Sequence, residues 1–236
     1  MPVATAPAHP VPISGWRRRF ASIEAAALAG IVCAIGWSVS FRELLAGPSI
    51  SASPHEIARH YAAPGTGLDA LVLLQIATLA TISFMWFIGV VRSRLGDQAP
   101  AVTGTVFVGA GTLVAGLIFA GFAALAAPAV LVEAGGKLPD PGEVSITRAI
   151  AVSLLAIFAP RVATLVMLST AALGRVTKAL PHWLVILTYV AGAIEFLNVT
   201  ISEPTVYLFP AWIALVSLVV LVRTTSGRRD DASSPV

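Results

Sequence analysis

Four polar side chains interrupt long apolar stretches of the sequence: Arg161, Glu195, Asn198 and Gln75. An ionisable residue inside a membrane-spanning segment is a candidate functional group, because placing a charge in lipid is costly. A guanidinium, a carboxylate and two amides could line a path for a small solute or for protons. The same groups could instead include a structural ion pair that locks two helices together, and the sequence leaves both interpretations open.

Arg161 and Glu195 are expected to meet inside a helical bundle. They lie near the middle of consecutive apolar segments, with a depth difference of about 7 Å at the helical rise per residue. Side chains lean toward the N-terminus of their own helix, so in antiparallel helices these two lean toward each other. Pro160 leaves a carbonyl one turn back without its amide partner, which offers the guanidinium a further acceptor. Asn198 follows Glu195 by one helical turn and completes the predicted cluster.

Other patterns that could support chemistry are incomplete. His55 and His60 resemble a zinc-protease helix, but their spacing puts them about 140° apart around a helix, too far to share a metal. Cys33 is the only cysteine and has no partner at metal-ligand spacing. The sequence has no paired aspartates, histidine cluster or serine–histidine arrangement at membrane depth. It therefore predicts no metal, no cofactor and no enzymatic activity.

The composition of the 236 residues shows the environment of these groups. Hydrophobic residues make up 57% and charged residues 11%, against about 25% charged in soluble domains, and the mean hydropathy is +0.87. So little charge cannot cover the surface of a soluble protein of this size, which excludes a soluble enzyme and a nucleic-acid binder. The lipid bilayer is the expected partner, and a protein partner or a homo-oligomer stays open.

Six apolar stretches are long enough to cross a bilayer, since each is close to the roughly 20 residues required. Backbone polar groups in lipid must be satisfied within the segment, so each stretch is predicted to be a helix. The predicted fold class is therefore all-α, a transmembrane helical bundle of six spans. The spans cover residues 21–45, 67–91, 104–128, 147–172, 183–201 and 205–222.

Basic residues flank these spans unequally. Ten of the fifteen lysines and arginines lie on one side of the predicted membrane, four lie on the other, and Arg161 lies within a span. Positive charge concentrates on the cytoplasmic side of membrane proteins, so both termini are predicted to be cytoplasmic. The ten are Arg17, Arg18, Arg19, Arg92, Arg94, Arg175, Lys178, Arg223, Arg228 and Arg229, and the four are Arg42, Arg59, Lys137 and Arg148.

The chain divides into a membrane domain and two tails. Residues 1–15 are rich in proline and alanine and are expected to form a disordered tail. Residues 16–223 form the predicted six-helix membrane domain, and the polar residues 224–236 form a predicted cytoplasmic tail. The outer loop 129–146 is rich in glycine, proline and acidic residues, and is expected to be irregular.

Two further patterns predict local structure. Ser53-Pro54-His55-Glu56, in the longest outer loop, matches a capping box with proline at the first helical position. It predicts a short interfacial helix through about Tyr61.

In the third span, small residues spaced four apart form a smooth face, which predicts close packing against a neighbouring helix. These residues are Thr112, Gly116, Ala120 and Ala124.

Five short motifs distributed along the chain carry a family resemblance. They are Phe41-Arg42-Glu43-Leu44-Leu45, Ser53-Pro54-His55-Glu56-Ile57-Ala58, Trp86-Phe87-Ile88, Arg92-Ser93-Arg94-Leu95 and Leu180-Pro181-His182-Trp183-Leu184. Together, from about Arg19 to Arg223, the chain resembles a family of uncharacterised six-helix integral membrane proteins of high-GC Gram-positive bacteria. The resemblance implies a topology and supplies no catalytic residues.

The sequence thus predicts a multi-pass protein of a bacterial plasma membrane. Its 13 arginines against 2 lysines, with abundant alanine, favour a high-GC bacterial genome. The expected role is structural or partner-binding, without an assigned molecular activity. The alternative is a small-solute or proton-coupled transporter with a polar site at the membrane midplane.

Overall fold

The computed structural model describes residues 23–95, 101–135, 139–198 and 203–232. Within these ranges the chain is helical and contains no strand, which confirms the predicted all-α class. The predicted tail 1–15 lies outside the described residues. The helices are α1 (Ile23–Ala46), α2 (Pro54–Tyr61), α3 (Thr66–Leu95), α4 (Ala101–Gly135), α5 (Pro141–Val152), α6 (Ala159–Val176), α7 (His182–Leu197), α8 (Glu203–Val206) and α9 (Leu208–Ala232).

In the part of the chain that the structure describes, four helical segments are long and apolar enough to cross a membrane: Glu24–Ala46, Thr66–Ser93, Ala101–Gly135 and Pro141–Val176. The last comprises α5, a π-helical segment at Ser153–Phe158, and α6. Two further apolar helices are shorter, His182–Leu197 and Leu208–Arg223. These helices are compatible with a multi-pass membrane protein, and their outer faces carry exposed apolar side chains such as Ile35, Ile82 and Leu218.

The predicted irregular loop 129–146 is wrong over most of its length. Helix α4 continues through Pro128 to Gly135, and α5 begins at Pro141. Asp140 caps α5, since its side chain accepts a hydrogen bond from the Gly142 amide at 2.8 Å. Apolar residues after Pro128 sustain the helix although the proline removes one backbone donor.

The last two helices also differ from their predicted bounds. Helix α7 ends at Leu197, four residues before the expected end of the fifth span. Helix α9 runs to Ala232, so most of the segment predicted as a C-terminal tail is helical.

The long helices form a closed ring in which each contacts the next. Around the ring the order is α1, α3, α4, α6, α7 and α9, and α9 returns to α1. The core inside the ring is aromatic where α1, α3 and α9 meet. Trp37 lies 4.9 Å from Phe84 between ring centroids, and Phe84 meets Phe209 edge-on at 5.9 Å. Each such pair contributes about 0.5–1.5 kcal/mol beyond its buried area.

The small-residue face predicted on α4 does not pack within the described chain. Thr112, Gly116 and Ala120 are exposed, and a Cβ added at Gly116 would meet nothing within 4 Å. The glycines that do admit a neighbour lie on the opposite side of the helix. A Cβ at Gly121 would clash with the side chain of Leu155, and one at Gly111 would stand 3.0 Å from Ile88.

Candidate functional site

Arg161 lies at the contact between α6 and α7, where its guanidinium binds backbone carbonyls. Nη1 donates to the Ile157 carbonyl at 2.6 Å, and Nη2 donates to the Asn198 carbonyl at 3.3 Å. Asn198 is the residue at which α7 ends, where helix carbonyls lack an amide partner within the helix. A cation at the negative end of a helix dipole is also favourable. Arg161 therefore ties α6 to the end of α7.

The first of these bonds lies in a disturbed stretch of backbone. The π-helical segment Ser153–Phe158 widens the turn that precedes Pro160, and Pro160 has no amide hydrogen to donate. The carbonyl that Pro160 leaves without its helical donor is that of Ala156, four residues before it. Arg161 instead reaches back one turn to the carbonyl of Ile157, within the π-helical segment.

Glu195 is close to Arg161 but forms no ion pair with it. The carboxylate is buried, with the residue only 3% exposed, and its Oε2 has no hydrogen-bond partner. Two of the three Arg161 guanidinium nitrogens donate to carbonyls instead. No ion pair joins the two described side chains in this structure, where backbone acceptors at helix irregularities bind the guanidinium in place of the carboxylate.

The same three polar residues nevertheless face one small cavity. Its volume is about 10 Å³, and Arg161, Glu195 and Asn198 line it together with Ala156, Pro160, Thr205 and Val206. A buried water needs roughly 10–15 Å³ of this kind of space. The cavity has room for about one water molecule and is too small for a solute.

Gln75 does not join this cluster. It is exposed on α3, which packs against α1 and α4 rather than against α6 and α7. The tie between α6 and α7 is extended instead by Thr164, whose hydroxyl donates to the Gly192 carbonyl at 3.3 Å. The structure thus brings together three of the four predicted site residues.

A second polar region lies under the short helix α2. The predicted capping box is confirmed. The Ser53 hydroxyl accepts a hydrogen bond from the Glu56 amide at 3.4 Å, and Glu56 Oε2 accepts one from the Ser53 amide at 2.8 Å. These bonds to the backbone and side chain of Ser53 lower the pKa of the exposed Glu56 carboxyl.

The inner face of α2 packs onto the bundle through two residues spaced by one turn. Ile57 and Tyr61 are buried in a small separate core with Ala129 of α4 and Val144 of α5. Burial raises the pKa of the Tyr61 phenol, although the nearby positive charge of Arg148 opposes that change. The short helix is therefore a fixed cover over the region where α1, α3, α4 and α5 meet.

Arg148 is the functional candidate that sequence reasoning missed, because it was counted only as a basic residue of the outer side. It is 9% exposed and lies two turns inside α5. Its Nη2 donates to the Leu44 carbonyl at 2.6 Å and to the Gly47 carbonyl at 3.2 Å, at the end of α1. One signal in the sequence could have shown its burial. Val144 and Ala151 are apolar residues at helical spacing on either side of Arg148, and the structure buries all three on one face of α5.

A cavity of about 350 Å³ opens beside Arg148. Its polar lining comes from Arg148, Tyr61, His60, Thr66 and Asp69. Its remaining walls are mostly apolar and are formed by Val39, Gly47, Pro48, Ala70, Val72, Leu73, Ile76, Leu125, Ala126 and Ala129. This size and this mixture of apolar walls with few polar groups are typical of small-molecule sites.

The residues that the structure describes contain no group of three or more His, Cys, Asp or Glu side chains that could hold a metal ion. Cys33 is a buried free thiol within α1. Comparison with known proteins gives no match: no family model, no curated protein and no solved structure matches this chain.

Proposed function

We propose that the chain is a six-span plasma-membrane protein with cytoplasmic termini and a structural or partner-binding role, without enzymatic activity. The four long apolar helices supply the first part of the argument. The shorter helices α7 and α9 close the same ring, so they belong to the same layer as the long ones. The basic residues alternate from side to side in the order that six crossings require.

Helix α7 is short for a membrane span, but it can cross a bilayer that thins locally. Its 16 residues extend about 24 Å, against a hydrocarbon core of about 30 Å. A span that is too short thins the bilayer locally or lets flanking polar residues reach the interface, at modest cost. His182 and Trp183 at the start of α7 are exposed and suited to an interfacial position.

The single observation that carries the structural role is the size of the cavity at Arg161 and Glu195. A transport path needs space for a hydrated or partly hydrated solute, whereas this cavity measures about 10 Å³. The guanidinium is fixed to two carbonyls of different helices. Such a group stabilises the contact between α6 and α7 and does not bind a passing ligand.

A proton-coupled transporter is the second candidate, and one feature favours it. Glu195 is buried with an oxygen that has no hydrogen-bond partner, and a carboxyl group in that position can exchange a proton. On this alternative Arg161, Glu195 and Asn198 line a path that opens in another conformation. Gln75 is not part of such a path, because it is exposed on a distant helix.

Cysteine accessibility distinguishes the two candidates. In a Cys33→Ala background, Ala156→Cys places a thiol in the cavity lining. We expect no reaction with a membrane-impermeant thiol reagent added to intact cells or to inside-out membrane vesicles. Ser51→Cys and Lys178→Cys are the matched controls, and they should react in intact cells and in inside-out vesicles respectively. Reaction of Ala156→Cys at a rate like the controls would favour transport.

Topology reporters test the six-span arrangement separately. Fusions after Arg94 and Arg175 should report a cytoplasmic position, and fusions near Ser51 and Lys137 an external one. A cytoplasmic signal at Lys137 would overturn the proposed topology. Assignment to a bacterial plasma membrane, and to the six-helix family that the chain resembles, remains part of the proposal.

A further inference from the structure

We propose that the cavity beside Arg148 is a binding site for an amphiphile with an anionic head group and an apolar chain. This inference does not depend on the role of Arg161 and Glu195, because the two cavities share no lining residue. It rests on three features: a buried cation without a carboxylate partner, an apolar wall, and a mouth on the side covered by α2.

The cation is the first feature. Arg148 is 9% exposed, and its hydrogen bonds to described residues are made by Nη2 alone, to two carbonyls. Among the side chains that the structure describes, no carboxylate forms an ion pair with it. A buried charge is costly unless it is paired, and two neutral carbonyls compensate it only in part. The guanidinium has further donors and a fork geometry that suits a carboxylate or a phosphate.

The wall is the second feature. Leu73, Ile76 and Leu125 line the cavity, and Val39 and Val72 complete its apolar part. Water inside a cavity of this composition would find few hydrogen-bond partners away from Arg148 and the polar residues beside it. An apolar chain covers these walls, and a small inorganic anion leaves them bare.

The mouth is the third feature. Tyr61 and His60, at the end of α2, and Thr66, at the start of α3, bring polar groups to the cavity. A second, more open depression of about 580 Å³ adjoins it and shares Gly47, Pro48 and His60. A ligand therefore has a route from the outer surface to Arg148.

Asp69 also bears on the position of the ligand. It is an exposed residue that lines the same cavity, and a negative group next to its carboxylate is disfavoured. The anionic head is therefore expected to bind Arg148. Both a membrane lipid with an anionic head and a free fatty-acid-like molecule have the required chemistry.

Decanoate and decyl phosphate are suitable probes for the purified full-length protein in phosphatidylcholine nanodiscs. Both should bind saturably, and thermal unfolding should shift upward with their concentration. Decanol lacks the charge, decyltrimethylammonium reverses it, and inorganic phosphate lacks the chain. Each of these three should bind at least about tenfold more weakly, because the loss of one charge-assisted hydrogen bond lowers affinity by about that factor.

Two pairs of variants locate the site. Arg148→Lys should keep most of the decanoate affinity, and Arg148→Met should lose about tenfold or more. Val39→Phe fills the cavity and should also abolish binding, while Val32→Phe is its control on the same helix. Val39 and Val32 are similarly exposed, 46% and 45%, but only Val39 lines the cavity. This second pair keeps the test valid where Arg148→Met fails to fold.

Native mass spectrometry of the protein purified from its membrane identifies the source. Retained phosphatidylglycerol that is lost in Val39→Phe and kept in Val32→Phe would support a membrane lipid. Binding of added decanoate to protein that retains no lipid would support a free amphiphile. Equal affinities for decanol and decanoate, or unchanged binding in Val39→Phe, would overturn the proposal, as would the absence of both saturable binding and retained lipid.

Discussion

A half-buried arginine, Arg161, and a buried one, Arg148, use the same chemistry with different results. Arg161 and Arg148 each donate to a carbonyl at the end of another helix, Asn198 after α7 and Leu44 near the end of α1. Arg161 has a carboxylate beside it and a cavity of about 10 Å³, whereas Arg148 has a cavity of about 350 Å³. The difference lies in the space around the guanidinium and not in its bonds.

The comparison separates a helix lock from a binding site. A guanidinium in a closed cavity has no room for a ligand, so its hydrogen bonds serve only the contact between helices. The same group beside an open cavity keeps donors available after it has tied α5 to α1. Residue type and burial therefore do not predict binding unless the volume in front of the side chain is known.

The largest expected effect is the loss of stability when the Arg148 side chain is replaced. Arg148→Met removes two charge-assisted hydrogen bonds from a buried position, so we expect the free energy of unfolding to fall by about 2–3 kcal/mol. Arg161→Met should lower the free energy of unfolding by only about 1 kcal/mol. Arg161 is half-buried, and one of its two hydrogen bonds is made to Ile157, within the same continuous helical segment. Unfolding in mixed micelles measures both. A larger loss at Arg161 would reverse the comparison.

Gly47 offers a more local way to disturb the outer arginine. A Cβ at this position would stand 2.5 Å from Arg148 Nη1. Gly47→Ala should therefore displace the guanidinium and cost about 1–2 kcal/mol. Gly116→Ala is the control, since a Cβ there meets nothing within 4 Å, and it should stabilise the helix by up to about 1 kcal/mol. Equal stability of the two variants would contradict the contact at Gly47.

A double-mutant cycle tests whether Arg161 and Glu195 interact in the membrane. Without an ion pair, Glu195→Gln should cost less than about 1 kcal/mol, and its effect should add to that of Arg161→Gln within about 0.5 kcal/mol. An ion pair would give the reverse, with each single change more harmful than the double change, because a single change leaves a buried charge without its partner. A strong coupling energy between the two substitutions would show that Arg161 and Glu195 do interact, and would contradict the absence of an ion pair.

The smallest expected effect concerns the cover over the outer cavity. Ser53→Ala should loosen α2 by about 1 kcal/mol and leave the bundle unchanged. Because hydrogen bonds from Ser53 hold the pKa of Glu56 below its ordinary value of 4.5, the cap is complete above that pH and is lost as the pH falls through the lowered value. Amide exchange in α2 should accelerate there, while exchange in α3 stays constant. If neither Ser53→Ala nor the lower pH accelerated amide exchange in α2, the capping box would not be what holds this helix over the cavity.

Local patterns in the sequence were sufficient where the structure is local. The capping box at Ser53 and Glu56 is present, and the apolar stretches are helical. Patterns failed where a neighbour decides the outcome. The small-residue face of α4 at Gly116 is exposed, while Gly121 and Gly111 admit side chains of other helices. Four-residue spacing shows which residues share a face, but it does not show which face meets a neighbour.

The candidate sites follow the same division. Arg161 and Glu195 stand out in the sequence because a charge inside an apolar stretch is unusual. Their failure to pair could not be predicted, since the competing acceptors arise from the π-helical segment and from the end of α7. Arg148 was missed because in the sequence it resembles a basic residue that flanks a span, and only the early start of α5 at Pro141 places it inside the bundle.

The all-helical class, the apolar segments and the short capped helix α2 follow from the amino-acid sequence alone, because each depends on residues within a few turns of one another. Which polar groups are enclosed, and how much space each one has, depends on how the helices pack. Enclosure depends on side chains far apart in the chain, such as Leu44 and Tyr61 around Arg148. A cavity is bounded by several helices at once, so no single stretch of sequence contains the information that defines it.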